Sequence, residues 1–98
     1  MQRMHYLIAQ IEIADRETYT KYEAGFMDIF LAYKGRMLSV DEGAQLLEGE
    51  WSYTRTVLVE FPSKEDALDW YESEEYQSLA KHRLASSKSN IVIVSGLD

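Results

Sequence analysis

The chain has 98 residues, of which 46% are hydrophobic and 12% aromatic, and 17 acidic residues outweigh 10 basic ones to give a net charge of −7. This apolar content predicts a single folded domain over residues 1–98. The acidic balance argues against a nucleic-acid partner, and no apolar run is long enough to cross a membrane. The absence of cysteine excludes disulfides and thiolate chemistry, and with no signal-peptide pattern it favours a cytoplasmic protein.

The first two elements predicted along the chain are a strand and a helix. His5 to Ile13 alternates in polarity, as a half-buried strand does, and Asp15 is a suitable helix N-cap. We expect the helix to run to about Tyr33, because Gly35 is a stop signal, and Gly25 inside it predicts close packing. Its apolar face comprises Tyr19, Tyr22, Phe26, Ile29, Phe30 and Tyr33.

The middle of the chain predicts more strands. Residues 36–49 predict a hairpin of two short strands around an Asp41 to Gly43 turn, in which Gly43 supplies a positive φ. Residues 54–61 predict a further strand with Val57, Val59 and Phe61 on one face, and Pro62 ends it.

The last third of the chain predicts helical segments and a final strand. Ser63 and Asp66 fit a capping box, Ser73 can cap a second segment, and Asn90 to Gly96 forms the strand. The element order predicts an α+β ferredoxin-like sandwich, an antiparallel sheet with two helices on one face.

The other face of this sheet is left bare. It carries Tyr6, Ile8, Gln10, Thr56 and Leu58, a surface too apolar for open water. A chain this small buries only roughly 60 to 65% of its unfolded surface, so a second copy covering this face is favoured. We therefore expect a homodimer.

Several motifs together resemble the DUF1330 family, a domain of unknown function. They include "KYEAG", "AYKGRML", "LLEGEW", "VLVEFPSKEDALDWYESEEY" and "IVIVSG", and they span Tyr6 to Gly96. The resemblance implies the dimeric α+β barrel superfamily, in which two sheets pack face to face. It implies no reaction, because that superfamily contains cofactor-free monooxygenases, isomerases, haem enzymes and regulatory domains.

Several positions depart from the family pattern, among them Lys34 in place of a glycine and Glu74 in place of a proline. Arg16 stands where a proline is common, and the turn at Asp41 to Gly43 is acidic where relatives often carry Arg-Gly-Gly. An anionic ligand held by this turn is therefore not expected here.

The sequence lacks the residues that most kinds of catalytic chemistry require. His5 and His82 have no metal-ligand spacing around them, so no metal or other cofactor is expected, and the chain has no nucleophile motif or phosphate loop. Arg36 with Glu48 or Glu60 could position and deprotonate a small acid in a partly buried pocket. We favour the plainer alternative, in which Arg36 pairs with a carboxylate across the sheet or the dimer interface.

The aromatic residues raise a similar choice between packing and binding. One of Trp70 and Tyr71 must point into the core and the other toward the flank, and Trp51 can cover a pocket or pack at the dimer seam. Packing is the favoured role for these rings. The hydroxyls of Tyr22 and Tyr71 could nevertheless meet over the sheet and donate to a ligand.

Two functions of different class fit the sequence. One is a small-molecule-binding protein or a cofactor-independent enzyme acting on a small organic compound, and the other is a non-catalytic dimeric structural or regulatory module. A cleft where Tyr22, Tyr71 and a charged residue converge would favour the first function, and a packed cleft the second. No catalytic residue is assigned, and the candidate ligand-binding residues are Tyr22, Arg36, Glu48, Trp51, Glu60 and Tyr71.

Overall fold

The computed structural model describes residues 3–97, so residues 1, 2 and 98 of the expected domain lie outside it. Four strands form one antiparallel sheet in the order β2-β3-β1-β4. The strands are β1 (His5–Ile13), β2 (Arg36–Asp41), β3 (Arg55–Phe61) and β4 (Ser87–Ser95), and the helices are α1 (Arg16–Phe30), α2 (Lys64–Tyr71) and α3 (Glu74–Ser86). The α+β ferredoxin-like fold expected from the sequence is confirmed. None of these helices is both long and apolar enough to cross a membrane.

The central strand β1 shows the alternation that its sequence predicts. Leu7, Ala9 and Ile11 are buried on the inner face, which the helices cover, whereas Tyr6 and Ile8 are half-buried on the outer face. β1 pairs with β3 on one side and β4 on the other. The core therefore lies between the inner sheet face and the helices.

The three predicted helix N-caps are all present. Asp15, Ser63 and Ser73 each accept a hydrogen bond from the backbone N–H three residues later. Such caps satisfy donors that the first helical turn cannot pair. Because Ser73 starts a new helix, the second helical region is two helices, α2 and α3.

The end of α1 differs from the prediction. The helix stops at Phe30, and Tyr33 lies in a following turn in which its N–H donates to the Phe30 carbonyl at 3.0 Å. Gly35 does not adopt a positive φ, but a Cβ there would lie 2.6 Å from Phe30 Cζ and 2.7 Å from Phe61 Cε1. A glycine is required because the backbone touches the aromatic core, and not because it stops the helix.

Gly25 also marks a close approach, as the sequence predicts. A Cβ there would lie 2.8 Å from Leu79 Cδ1, on the helix α3 that packs against α1.

The predicted hairpin at residues 36–49 is wrong in its second half. β2 is present, but residues 44–53 form no strand, and β2 pairs with β3 instead. The Asp41 carboxylate accepts the Gly43 N–H at 2.7 Å, a local bond that competes with a strand ladder. Residues 42–54 thus form a long connection in which Leu46 and Leu47 are exposed.

Candidate functional site

A cleft of about 320 Å³ lies between the inner sheet face and the helices. Leu7, Ala9 and Val59 form its floor, where the small side chain of Ala9 leaves space at the middle of β1. The rings of Tyr22 from α1 and Tyr76 from α3 stand on its wall. The cleft is therefore mostly apolar and aromatic. Its other lining residues include Phe26, Met27, Met37, Val40, Trp70, Tyr71 and Ile91.

Two buried phenols meet in this cleft. The hydroxyl oxygens of Tyr22 and Tyr76 are 2.7 Å apart, so one donates to the other. Burial, and then the neighbouring Tyr76, raise the pKa of Tyr22 well above its usual range. A phenol that accepts one hydrogen bond can still donate its own O–H, so the pair can donate to a third group.

A buried arginine from α3 lies beside these phenols. Arg83 is 3% exposed, its guanidinium carbon is 5.9 Å from the centroid of the Tyr22 ring, and its Nη1 donates to Ser89 Oγ on β4. Within residues 3–97, no carboxylate lies within salt-bridge distance of Arg83. A buried charge is costly unless it is paired, so Arg83 is a cation in need of an anion.

A second arginine at the edge of the cleft has its charge balanced by carboxylates. Arg55 Nη1 lies 3.1 Å from Glu23 Oε2 and 2.8 Å from Glu42 Oε2, and Arg16 Nη2 lies 2.9 Å from Glu42 Oε1. Hydrogen bonds from Arg16 and then Arg55 lower the pKa of Glu42. Two cations and two carboxylates balance one another here.

Three residues that line the cleft each carry a buried N–H donor with no partner within residues 3–97. These donors are Arg55 Nε, Trp70 Nε1 and Arg83 Nε. Buried donors are normally hydrogen bonded, because an unpaired one loses its water without compensation. The complement to this lining is a molecule that carries acceptors.

The two tyrosines proposed from the sequence both line the cleft, but they do not pair with each other. The Tyr22 hydroxyl meets Tyr76, whereas half-buried Tyr71 places its ring 5.6 Å from the Tyr76 ring. Trp70 is 2% exposed and points inward, so the predicted division between Trp70 and Tyr71 is confirmed. The reason is that Tyr76 belongs to α3, which packs against α1, whereas Tyr71 belongs to α2.

The other four candidates lie outside the cleft lining. Arg36 and Glu60 are cross-strand neighbours whose Nη2 and Oε1 atoms are 3.0 Å apart on the outer sheet face, which is the ion pair favoured from the sequence. Glu48 and Trp51 are exposed in the 42–54 connection, where the Trp51 ring lies 5.0 Å from the Tyr53 ring.

Sequence reasoning missed Arg83, Tyr76 and Arg55 as site residues, although the patterns contain them. Arg83 follows Tyr76 by seven residues, which is the same face of a helix. Arg55 precedes Val57 by two, which is the same face of a strand. In both cases a charged residue falls on the buried face of its helix or strand, and this pattern could have identified Arg83 and Arg55 from the sequence.

Metal binding gains no support from the geometry. Within residues 3–97, no group of three or more His, Cys, Asp or Glu side chains is arranged to hold an ion.

Comparison with known families decides the membership of the chain. The family described as "Domain of unknown function (DUF1330)" matches residues 4–97. The chain belongs to the DUF1330 family. No curated protein matches it.

Solved structures similar to this DUF1330 chain share its fold. A protein of unknown function from Rhodopseudomonas palustris matches with a TM-score of 0.83 and 15% identity, over 100% of this chain and 85% of that one. SnoaB, a cofactor-independent oxygenase from Streptomyces nogalater, matches with a TM-score of 0.70 and 9% identity, over 98% and 95% of the two chains. A dimeric ferredoxin-like protein from Thermobifida fusca matches with a TM-score of 0.68 and 10% identity, over 98% and 93%. At these identities the likeness concerns the fold alone.

Proposed function

We propose that this protein binds a small organic molecule in the cleft between its helices and its sheet. The observation that carries the proposal is the set of buried, unpartnered N–H donors on Trp70, Arg83 and Arg55. A ligand with acceptor atoms would satisfy them, and a cleft of about 320 Å³ suits a compound the size of a single substituted ring. Tyr22 and Tyr71 remain proposed ligand contacts, and Tyr76 joins them.

Binding has better support than a reaction. The carboxylate that lines the described cleft, Glu23, has its Oε2 held 3.1 Å from Arg55, and neither His5 nor His82 lines the cleft. The phenolic hydroxyls are hydrogen-bond donors, and burial raises the pKa of Tyr22 above its usual range. The oxygenase activity in the description of SnoaB is therefore not carried over to this chain, whose cleft supplies donors without a free general base.

Tryptophan fluorescence can test ligand binding in the cleft. The chain has two tryptophans, so Trp51→Phe leaves Trp70, on the cleft lining, as the single reporter. Nitrobenzene and 4-nitrophenol, both quenchers of indole emission, are expected to quench Trp70 in a saturable manner. Val40→Phe, which adds bulk at a partly exposed lining residue, should weaken this quenching, and Leu31→Phe, outside the cleft, should not. Linear quenching that is equal in both variants would contradict the proposal.

We also propose that the protein is a homodimer formed through its outer sheet face. Leu58, Ile8 and Val92 are register neighbours on β3, β1 and β4, so they form an apolar row across the sheet. Val92 and Val94 on this face are 52% and 41% exposed, which favours a covering partner. The similar protein from Thermobifida fusca is described as dimeric. A second copy with the same face is the simplest cover, because two-fold interfaces are self-complementary.

Size-exclusion chromatography with light scattering tests the dimer. We expect the mass of two chains at micromolar concentration, and the mass of one chain for Leu58→Lys, which puts a charge into the apolar row. Leu31→Lys is the matched control, because Leu31 is 73% exposed at the end of α1. A single-chain mass for the unmodified protein would overturn the dimer proposal.

A cytoplasmic location, with neither a membrane nor a nucleic acid as partner, completes the proposal. It is supported by the lack of cysteine and by the net charge of −7.

A further inference from the structure

We infer that the cleft selects small aromatic monoanions, ring compounds with one acidic oxygen that binds as an anion beside Arg83. This inference rests on the proposed binding function and specifies its ligand class. It comes from the charges on the cleft lining, the kind of hydrogen-bonding groups there and the shape of the space.

The charges of the cleft lining leave one cation uncompensated. Of the charged lining residues, Arg55 is paired with Glu23 and with Glu42, which Arg16 also binds, so this group is neutral. Arg83 is 3% exposed and has no carboxylate partner in the described chain. A charge with so little exposed surface is poorly solvated, so an anionic ligand supplies the partner that the protein lacks.

The hydrogen-bonding groups around Arg83 are mostly donors, which a ligand with acceptor atoms would complement. Its Nη1 is used by Ser89, its Nε has no protein partner, and it lies beside the Tyr22 and Tyr76 phenols, one of which keeps a free proton. Trp70 Nε1 adds another unpartnered donor on the same lining. An oxyanion accepts from several such donors at once, and bonds to a charged oxygen are stronger than neutral ones.

The aromatic wall of the cleft and the charges at its edge favour a ligand with a flat ring and a single negative charge. Aromatic rings pack edge to face within the wall, as Tyr22 does with Tyr76 at a centroid distance of 6.2 Å, and a flat ligand ring can continue this arrangement. A second negative charge would find no free cation among the lining residues described, because Arg55 is already paired with Glu23 and Glu42. The cleft thus favours one charge over two.

The acidic turn at Asp41 to Gly43 made an anionic ligand unexpected from the sequence. In the structure, Arg16 and Arg55 neutralise the charge of Glu42 in that turn. The cation that would pair with an anionic ligand is Arg83, on α3.

The plainer alternative gives Arg83 a structural role only. Its bond to Ser89 ties α3 to β4, and its methylene groups pack in the core. In that case the cleft should show no preference between a neutral ring and an anionic one. The comparison of two such rings on unmodified Arg83 therefore separates the alternatives even where a substitution disturbs folding.

The experiment compares 4-nitrophenol with nitrobenzene on the Trp51→Phe protein. The two probes share the ring and the nitro group, but only 4-nitrophenol ionises near neutral pH, with an absorbance change that reports its state. We expect the anion to bind about 10- to 100-fold more tightly than nitrobenzene, as for a hydrogen bond to a charged group. The apparent pKa of the bound probe should fall, because the protein prefers its anion.

Variants then assign this preference to Arg83. Arg83→Met should remove the preference for the anion, Arg83→Lys should keep part of it, since the charge remains without the forked donors, and Lys81→Met, exposed on the same helix, should keep it fully. Equal binding of both probes to the parent protein would overturn the inference and leave the proposed binding function in place. Binding of neither probe would overturn both.

Discussion

Arg36 and Arg83 place the same guanidinium group in opposite surroundings. The Arg36 side chain is 71% exposed beside Glu60 on the outer sheet face, whereas Arg83 is 3% exposed beside the cleft. Bulk water screens the first charge and the second has little contact with solvent, so their electrostatic free energies differ. Burial therefore distinguishes Arg83, the arginine of the proposed site, from Arg36.

Replacing Arg36 tests this contrast. We expect Arg36→Met to change the free energy of unfolding by about 0 to 1 kcal/mol, as is usual for exposed ion pairs, and to leave probe binding unchanged. Urea denaturation and the Trp70 titration measure the two effects. A loss of about 3 to 5 kcal/mol would mean that the pair is buried in the assembled dimer, and a loss of probe binding would restore Arg36 to the site.

At the scale of elements, the junction between α2 and α3 positions two walls of the cleft. Ser73 donates to the Trp70 carbonyl at 2.8 Å and accepts from the Tyr76 N–H at 3.2 Å. The rings of Trp70 and Tyr76 are consequently held with centroids 4.2 Å apart. One serine thus fixes the angle at which both aromatic residues enter the cleft.

Removal of this cap should be measurable. Ser73→Ala is expected to lower the free energy of unfolding by about 1 kcal/mol, because the first turn of α3 loses a partner for a backbone donor. Ser78→Ala, at an exposed interior position of the same helix, is the control and should stabilise the protein by up to about 0.5 kcal/mol, because alanine has the higher helix propensity. Urea denaturation compares the three proteins, and equal midpoints for the parent protein and Ser73→Ala would show that Ser73 contributes nothing as a cap.

A second junction joins α1 to the turn after β2. Arg16 donates two hydrogen bonds to Glu42, at 3.1 and 2.9 Å, and both residues belong to the charge departures noted from the family pattern. The residues at these two positions therefore form an ion pair with each other. Together with Arg55 they fasten the turn beside the cleft.

For the molecule as a whole, buried phenols link stability to alkaline pH. Burial raises the pKa of Tyr19 from 10.0 to about 12, and it raises the pKa of Tyr22 further. The folded protein therefore holds these protons where the unfolded chain releases them. By linkage, their stabilising contribution is complete below about pH 10 and is lost as the pH rises.

We expect the free energy of unfolding to fall between about pH 10 and pH 12, and the fall to be smaller in Tyr22→Phe. The variant also loses the bond to Tyr76, about 1 kcal/mol at every pH, so the slope and not the value is compared. Urea denaturation at a series of pH values gives both slopes. Equal slopes would contradict a role for the Tyr22 proton.

The sequence by itself determined the parts of this protein that depend on near neighbours. The alternation of β1, the aromatic face of α1 and the caps Asp15, Ser63 and Ser73 are all present as predicted. Side-chain period and capping act within a few residues, so a local pattern suffices to specify them. The order of these elements was also enough for the ferredoxin-like fold.

Only the tertiary structure decided which distant residues meet. It paired β2 with β3 in place of a local hairpin, Tyr22 with Tyr76 in place of Tyr71, and left Arg83 buried beside the cleft. Each outcome depends on strand register and on the rotation of one helix against another, which are set by packing across the whole core. A local sequence pattern does not specify which distant residues come into contact. The fold could therefore be predicted from the sequence, whereas most of the cleft could not.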